Sequence, residues 1–145
     1  MTSERIDALG LQLIETHSHL RDALDRLRSG TLPPDELALH CVAFCAAVSA
    51  HHGGEDATVF PALESRHPEL REVLAGLRHD HEMVAELLRK AAALAGDLDA
   101  PGTLAELDGL AAILSSHFAW EERRLVAALN AIESPEVAAA VALPE

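Results

Sequence analysis

Polar side chains interrupt an apolar helical pattern in the stretch His51-His52-Gly53-Gly54-Glu55-Asp56-Ala57-Thr58-Val59-Phe60-Pro61. Residues four apart share one face of a helix, so His51 and Glu55 are predicted to point the same way. A second stretch, His117-Phe118-Ala119-Trp120-Glu121-Glu122, repeats the spacing with His117 and Glu121. Two such pairs in one chain indicate a shared polar site on two helices.

The composition predicts an all-α fold. Of the 145 residues, 49% are hydrophobic, and the aromatic residues are only three phenylalanines and one tryptophan. Helix-forming residues therefore dominate over the β-branched and aromatic residues that favour strands. The length fits one domain with a single core, predicted to span residues 1–145.

The charge balance argues against some classes of partner. The chain has 24 acidic and 11 basic residues, a formal net charge of −13, so its surface should repel nucleic acids and anionic membranes. Charged residues at Glu4, Arg5 and Asp7 argue against a signal peptide, and no run of about 18 apolar residues is present to span a bilayer. Because a disulfide between Cys41 and Cys45 on one helix face would be strained, we expect a reduced, cytoplasmic protein.

Apolar residues that recur at three- and four-residue steps predict the first two helices. Ser3 is a candidate N-cap of the first helix, which is expected to end near residues 29–30. The second helix carries its apolar stripe through residues 37–51. Pro61 cannot donate a hydrogen bond to the preceding turn, so a kink or a stop is expected there.

The same periodicity predicts two further long helices and a short one. The third helix restarts at residues 67–69, and a capping box at Thr103-Leu104-Ala105-Glu106 opens the fourth. Ser134-Pro135-Glu136 is expected to cap a short apolar tail at residues 137–143. Short loops between long helices predict an up-down-up-down antiparallel four-helix bundle with a short C-terminal tail helix.

Four inward histidines are predicted to meet at one level of this bundle, because each helical residue adds about 1.5 Å along the axis. They are His17, His51, His81 and His117. Burying them with two carboxylates and no compensation would cost several kcal/mol per charge, which a marginally stable domain does not tolerate. Nitrogen and oxygen ligands suit iron, manganese or zinc, and two carboxylates able to bridge favour a pair of ions.

The order of these residues resembles the hemerythrin-like (HHE cation-binding) family over nearly the whole chain. Residues 51–61 are similar to that family's HxxxEE…FP signature, and residues 117–122 are similar to its HFxxEE signature. His17 and His81 match its single histidines on the first and third helices. The resemblance implies two iron ions in an oxo-bridged diiron centre, with zinc or manganese less favoured and with Glu55 and Glu121 as bridges. The implied metal ligands are His17, His51, Glu55, His81, His117 and Glu121.

One departure from this family bears on function. Oxygen-carrying hemerythrins have a further histidine one turn before the third-helix ligand, where this chain has Leu77. Fewer histidines leave more open coordination positions, which suits binding of, or reaction with, O2, H2O2 or NO better than reversible oxygen carriage. We therefore expect sensing, detoxification or iron handling, with catalase- or peroxidase-like activity left open, in a monomer or weak homo-oligomer. The alternative is a metal-responsive regulatory or interaction module without turnover.

Several polar residues are alternatives or neighbours at the predicted site. Asp56 and Glu122 lie about 100° further round their helices than the preferred carboxylates and rank second as ligands, and His19 is a further alternative. Five histidines are expected at the surface or beside the ligands: His19, His40, His52, His67 and His79.

Two adjacent glycines and a rival ligand spacing also bear on the predicted site. Gly53 and Gly54 lack side chains and are expected to leave room for solvent or a small ligand to reach the metals. A ferritin-like diiron site, the nearest rival, needs Glu-x-x-His pairs on two helices. The spacing from Glu64 to His67 falls at a predicted helix break, so the ferritin-like plan is disfavoured.

Overall fold

The computed structural model describes residues 9–96 and 100–142, and this part of the chain is helical with no strand. The predicted all-α class is confirmed, while the candidate N-cap Ser3 lies outside the described residues. The elements in chain order are α1 (Leu9–Arg28), α2 (Pro34–Gly54), a π-helical turn (Glu55–Val59), α3 (Phe60–Arg66), a 3-10 turn (Pro68–Leu70), α4 (Arg71–Gly96), α5 (Ala100–Asn130) and α6 (Pro135–Val141).

The helices α1 and α5 pack against each other in opposite directions. The Gly10 backbone N–H donates to Oδ1 of Asn130 at 2.8 Å, and Arg28 at the other end of α1 pairs with Asp108 at 2.8 Å. A Cβ added at Gly10 would lie 2.6 Å from Cγ1 of Val126. The missing side chain therefore permits the close approach of these two helices.

The remaining long helices pack in neighbouring pairs, α1 with α2, α2 with α4, and α4 with α5. The Cys45 thiol lies 3.6 Å from the carbonyl oxygen of Leu88, and Asp56 contacts His81 closer to the turn that joins these segments, so α2 and α4 also run in opposite directions. The predicted end of the first helix is confirmed, since Gly30 adopts a left-handed φ of 76° just after α1.

The second helix does not stop where Pro61 lies. Instead the chain passes through the π-helical turn Glu55–Val59 and continues as α3, with the Phe60 N–H bonded to the Glu55 carbonyl. Proline lacks the N–H of a regular helix, and a wider turn before it shifts the hydrogen-bond register without ending the helix. Of the predicted kink or stop, the stop is therefore wrong, whereas an irregularity is present and begins at Glu55, the residue predicted as a bridging ligand.

Two predicted caps have different outcomes. The Ser134 hydroxyl accepts a hydrogen bond from the Val137 N–H, so the predicted cap of the tail helix is confirmed. The predicted capping box of the fourth helix was wrong in position, because α5 already includes Ala100 and Thr103 lies inside it. Helical geometry extends upstream of the sequence signal in this case.

The core consists of two apolar clusters with a layer of polar side chains between them. Along α1, Leu13 belongs to one cluster and Leu20 to the other, with His17 between them. Along α5 the polar layer falls between Leu114 and Leu125. Apolar burial on both sides stabilises the helices and fixes the level at which the polar residues meet.

One helical run in the described part of the chain is long and apolar enough to span a membrane. The run Asp35–Arg66 contains an 18-residue window with mean hydropathy 1.2, of which 28% is buried. By length and composition it could cross a bilayer, contrary to the expectation drawn from apolar runs. A single such helix is weak evidence, because core helices of soluble proteins pass the same test. The absence of a membrane partner therefore stays a prediction.

Candidate metal centre

The polar layer buries seven side chains of the kinds that bind metal ions, each at most 5% exposed. Six are the residues predicted from the sequence: His17, His51, Glu55, His81, His117 and Glu121. The seventh is His52, expected at the surface or beside the ligands. Because α1, α2, the π-helical turn, α4 and α5 all contribute, the layer joins every long helix of the described chain.

These side chains form two groups, in each of which one nitrogen or oxygen atom per residue lies within 4.8 Å of the others. The first group consists of His17, His51, Glu55 and Glu121. In it, Nε2 of His17 lies 3.2 Å from Nε2 of His51. Two ring nitrogens that converge in this way can share one metal ion.

The second group consists of His52, Glu55, His81 and His117. The His52 and His81 rings are stacked with centroids 3.8 Å apart, and the His117 ring stands edge-on to His81 at 5.0 Å. Three imidazoles and a carboxylate thus surround a second position. The predicted residues are therefore divided between two positions, as expected for a pair of ions.

Both buried glutamates span the two groups. Glu55 places Oε1 3.2 Å from Nε2 of His81 and Oε2 3.6 Å from Nε2 of His51. Glu121 places Oε1 3.3 Å from Nε2 of His17 and Oε2 3.3 Å from Nε2 of His117. Each carboxylate therefore has one oxygen at each position, which is the geometry that two bridging ligands need.

His52 was expected at the surface or beside the ligands, and the surface alternative is wrong, since His52 is 5% exposed and lies in the second group. Adjacent residues on a helix point about 100° apart, and that angle directs them to different neighbours of α2. His51 faces His17 on α1, with ring centroids 5.1 Å apart, whereas His52 stacks on His81 of α4. Because α2 packs between α1 and α4, both directions are buried.

Three of the histidines are held by carboxylates on neighbouring helical segments through Nδ1. The distances from Nδ1 to oxygen are 2.6 Å for His17 and Glu122, 2.8 Å for His81 and Asp56, and 3.2 Å for His117 and Asp80. Such contacts make Nδ1 the protonated nitrogen and leave the Nε2 lone pair for a metal ion. In this arrangement Nε2 of each ring faces the polar layer.

These contacts define a supporting role for both alternative carboxylates. Asp56 and Glu122 lie outside the two groups and contact the far side of a histidine instead. Asp80 has the same role and was not singled out in the sequence, because an acid one residue before an inward histidine resembles an ordinary surface residue. The signal that could identify it is its position beside the third helix's inward stripe.

The other histidines lie away from the polar layer. His19, His40 and His79 are exposed and His67 is partly exposed, as expected. His19 belongs to neither group, so the alternative in which it replaces a ligand has no support among the described contacts.

Burial and neighbouring charges shift the protonation of the layer. Burial lowers the pKa of His51 to about 3 and that of His52 to about 2, so both rings are neutral and able to bind metal ions. Burial, together with the facing carboxylate of Glu121, raises the pKa of Glu55 well above its usual range. The pKa of Glu121 is held well below its usual range because contacts with Glu55 and the histidines outweigh the effect of burial.

Many polar atoms of the layer lack hydrogen-bond partners. They are both carboxylate oxygens of Glu55 and Glu121, Nε2 of His52, His81 and His117, and Nδ1 of His51. A buried polar atom without a partner costs about 1–3 kcal/mol, and more when it is charged. Except for Nδ1 of His51, these are the atoms that a pair of metal ions would contact. The unpaired nitrogen and oxygen atoms therefore fit such ions in number, kind and position.

The tail helix α6 packs beside this layer. Thr16, next to His17, donates a hydrogen bond from its hydroxyl to the Val141 carbonyl at 3.0 Å. A Cβ added at Gly54 would lie 3.1 Å from the Ala140 carbonyl oxygen, whereas one at Gly53 would meet nothing within 4 Å. The expected room for a small ligand is therefore wrong at Gly54, whose missing side chain admits α6, and stays a prediction at Gly53, where the space is open.

Comparison with protein families gives one match. The model described as the hemerythrin HHE cation binding domain matches residues 12–129, which is most of the chain and includes all seven side chains of the polar layer. The comparisons with curated proteins and with solved structures gave no match.

Proposed function

The chain belongs to the hemerythrin HHE cation-binding family, and on that premise we propose that its polar layer holds two iron ions. The observation that carries the proposal is the pair of glutamates whose two oxygens face the two histidine groups. One ion would be held by His17 and His51, the other by His52, His81 and His117, and Glu55 and Glu121 would bridge them.

The charge of the site supports two multivalent cations. Two bridging carboxylates face the ions directly, and three more, on Asp56, Asp80 and Glu122, contact the histidines from behind. Arg21, whose Nη1 lies 3.6 Å from Glu122, offsets one of these charges. The remaining negative charge is of the size that two divalent ions neutralise.

The kinds of ligand favour iron. Histidines combined with carboxylates and free coordination positions are typical of non-haem iron sites, whereas structural zinc sites are closed and tetrahedral, most often with cysteine. The cysteines of this chain, Cys41 and Cys45, lie among the apolar core residues or packed against them. Zinc and manganese remain the less favoured metals.

His52 changes the expectation that was drawn from Leu77. The chain has no histidine at position 77, but His52 brings a fifth imidazole to the layer from α2. The number of histidines therefore gives no reason to infer an unusually open centre. The buried position of the layer instead limits the exogenous ligand to a small molecule, and we propose O2, H2O2 or NO.

The protein in this proposal senses or removes a small oxidant, or handles iron, and acts on no large organic substrate. The buried histidines and glutamates bind the ions, and Asp56, Asp80 and Glu122 orient three of the rings. When bound, the iron pair supplies the electrons that a small oxidant takes up. We further propose that the protein is cytoplasmic and has no nucleic-acid or membrane partners. The long helices, which pack in neighbouring pairs, would form the predicted up-down-up-down bundle.

The absorption spectrum of the iron-loaded protein tests this proposal. We expect a ferrous sample prepared without oxygen to be nearly colourless and to develop a near-ultraviolet to visible band when O2 or H2O2 is added. Catalytic loss of H2O2 would extend the proposal to a catalase- or peroxidase-like enzyme. An iron-loaded protein whose spectrum is unaffected by O2, H2O2 and NO would overturn it.

A second candidate is a metal-responsive module, and the position of α6 favours it. This helix contacts the π-helical turn that carries Glu55 and the Thr16 hydroxyl beside His17. Metal binding could thereby alter a surface without any turnover. Protease digestion at the loop before α6, with and without iron, tests this candidate, which predicts strong protection only in the loaded protein.

A further inference from the structure

A cleft of about 290 Å³ opens between α2 and α4 beside the polar layer. It is lined by polar and small side chains, and by Leu88, on both helices and on the π-helical turn. The lining residues that matter here are Ser49, His52, Gly53, Asp56, His81 and Glu82. The cleft therefore connects the protein surface with two of the buried histidines.

The cleft reaches one of the two ligand groups. His52 and His81 belong to the second group, whereas His17, His51 and Glu121 of the first group do not line the cleft. The Nε2 atoms of His52 and His81 are buried and have no hydrogen-bond partner. A molecule at the inner end of the cleft would therefore lie against the rings of His52 and His81, whose unpaired Nε2 atoms are buried.

Gly53 is a solvent-exposed residue of the cleft wall. A Cβ at this position would meet nothing within 4 Å, so a larger side chain on the cleft wall fits without displacing the protein. Glycine in the interior of a helix costs roughly 0.5–1 kcal/mol relative to alanine, so its presence needs another reason. Passage along the cleft supplies one.

The mouth of the cleft is acidic. The Glu82 carboxylate is 80% exposed and that of Asp56 is 40% exposed, in a chain with a net charge of −13. A cleft lined by charge of one sign concentrates ions of the other sign and repels its own. Cations and uncharged molecules therefore enter more easily than anions.

We propose that this cleft is the route by which metal cations and small uncharged ligands reach the second ligand group, with Gly53 keeping it open. The proposal rests on the proposed metal-binding function. It adds a direction of entry and a class of ligand, neutral in preference to anionic. It also makes the two metal positions unequal, because the cleft leads to only one of them.

Uptake of Co²⁺ by the metal-free protein tests the route, since cobalt bound to nitrogen and oxygen ligands is followed by its visible absorption. We expect Gly53→Leu to slow uptake about tenfold or more while the final number of ions bound per chain stays the same. Gly109→Leu is the matched control, because Gly109 is also a helical glycine with nothing within 4 Å and lies outside the cleft. The control should load at the parent rate.

Charge reversal at the mouth provides a second test on an exposed residue. We expect Glu82→Lys to slow Co²⁺ uptake about threefold and to accelerate azide binding to the loaded protein by a similar factor. Glu72→Lys, which makes the same change about 15 Å along α4, should change neither rate. Opposite effects on a cation and an anion identify a charge effect on entry, because a damaged fold would not separate them.

The outcomes distinguish the route from the function. Equal uptake rates in Gly53→Leu, Gly109→Leu and the parent would overturn the route while two bound ions per chain would uphold the metal site. If Gly53→Leu fails to fold, the Glu82→Lys pair decides alone, and unchanged rates in it would overturn the route. A folded parent that binds no Co²⁺ would overturn the proposed function and the route with it.

Discussion

The two ligand groups of the polar layer share their carboxylates but differ in their surroundings. The group of His17 and His51 lies beside the packed tail helix, where Thr16 is bonded to Val141. In the group of His52, His81 and His117, the first two histidines line the cleft between α2 and α4. In the proposed two-ion site, one position would therefore be enclosed and the other reached through the cleft, although neighbouring residues of the same helix build both.

That difference shows how one helix can contribute to two ligand groups. The 100° step between His51 and His52 turns one ring towards α1 and the next towards α4. The glutamate one turn later reaches both positions because its two oxygens face opposite groups. Asymmetry thus arises from consecutive residues, without a second copy of the site or a separate domain.

The largest expected effect distinguishes Glu55, which belongs to both ligand groups, from His51 and His52, which each belong to one. Glu55→Gln should weaken binding of both ions, whereas His51→Ala and His52→Ala should each weaken one, by more than the roughly 10–100-fold loss typical of a supporting residue. The measurement is the number of ions bound per chain during a Co²⁺ titration. We expect near zero for Glu55→Gln and near one for each histidine variant.

His40→Ala is the control for these variants, because His40 is an exposed histidine on the same helix. It should bind two ions with the parent affinity. If His52→Ala also binds two ions as tightly as the parent, the division of the layer into two groups with His52 as a ligand is wrong.

Smaller losses are expected when the carboxylates behind the rings are neutralised. Asp80→Asn and Asp56→Asn should weaken the accessible position, and Glu122→Gln the enclosed one, each about 10–100-fold. The physical reason is that an amide orients the ring less strongly and makes its nitrogen a poorer donor to a cation. Competition titrations with a chelator of known affinity measure the effect.

Asp108→Asn serves as the control for these carboxylates, since Asp108 pairs with Arg28 far from the layer. Its metal affinity should match that of the parent. Equal affinities in Asp80→Asn and the parent would show that the 3.2 Å contact with His117 does not tune the site.

The sequence predicted most of this layer and missed specific parts of it. The spacing of His51 and Glu55, repeated at His117 and Glu121, is readable because four residues make about one helical turn. His52 was missed because the sequence pattern assigns a single inward face to each helix. In the structure α2 packs against both α1 and α4, so two of its faces are buried. The π-helical turn was missed because Pro61 predicts a break but not the form that the break takes.

A third effect concerns the metal-free protein at low pH. Burial lowers the pKa of His51 to about 3 and of His52 to about 2, whereas both titrate near pH 6.5 when unfolded. As the pH falls below 6.5, the unfolded chain therefore takes up protons at His51 and His52 that the folded protein does not, whereas the raised pKa values of Glu55 and His117 act in the opposite direction. We expect the two histidines to dominate, so the free energy of unfolding should fall as the pH drops from 6.5 to 5.

Urea denaturation of the metal-free protein at several pH values measures this slope. His52→Leu should flatten it, because one of the two groups that take up a proton on unfolding is removed. A free energy of unfolding that stays constant or rises between pH 6.5 and 5 would show that the buried histidines do not stay neutral in the folded state.

The smallest expected effect is a difference in stability between substitutions at two adjacent glycines. Gly53 lies at the cleft, and Gly54 packs against α6. Gly53→Ala should stabilise the protein by roughly 0.5–1 kcal/mol, because alanine favours the helix and its Cβ meets open space. Gly54→Ala should be less favourable by about 1 kcal/mol, because its Cβ would lie 3.1 Å from the Ala140 carbonyl oxygen. Thermal unfolding of the two variants gives the difference, and equal melting temperatures would contradict the packing of α6 at Gly54.

The metal content of protein isolated aerobically from cells tests the central proposal most directly. Elemental analysis of each metal against protein concentration gives both the identity and the number of the bound ions. We predict two iron ions per chain. Two zinc ions with no iron, or a single ion of any kind in fully loaded protein, would contradict a diiron centre.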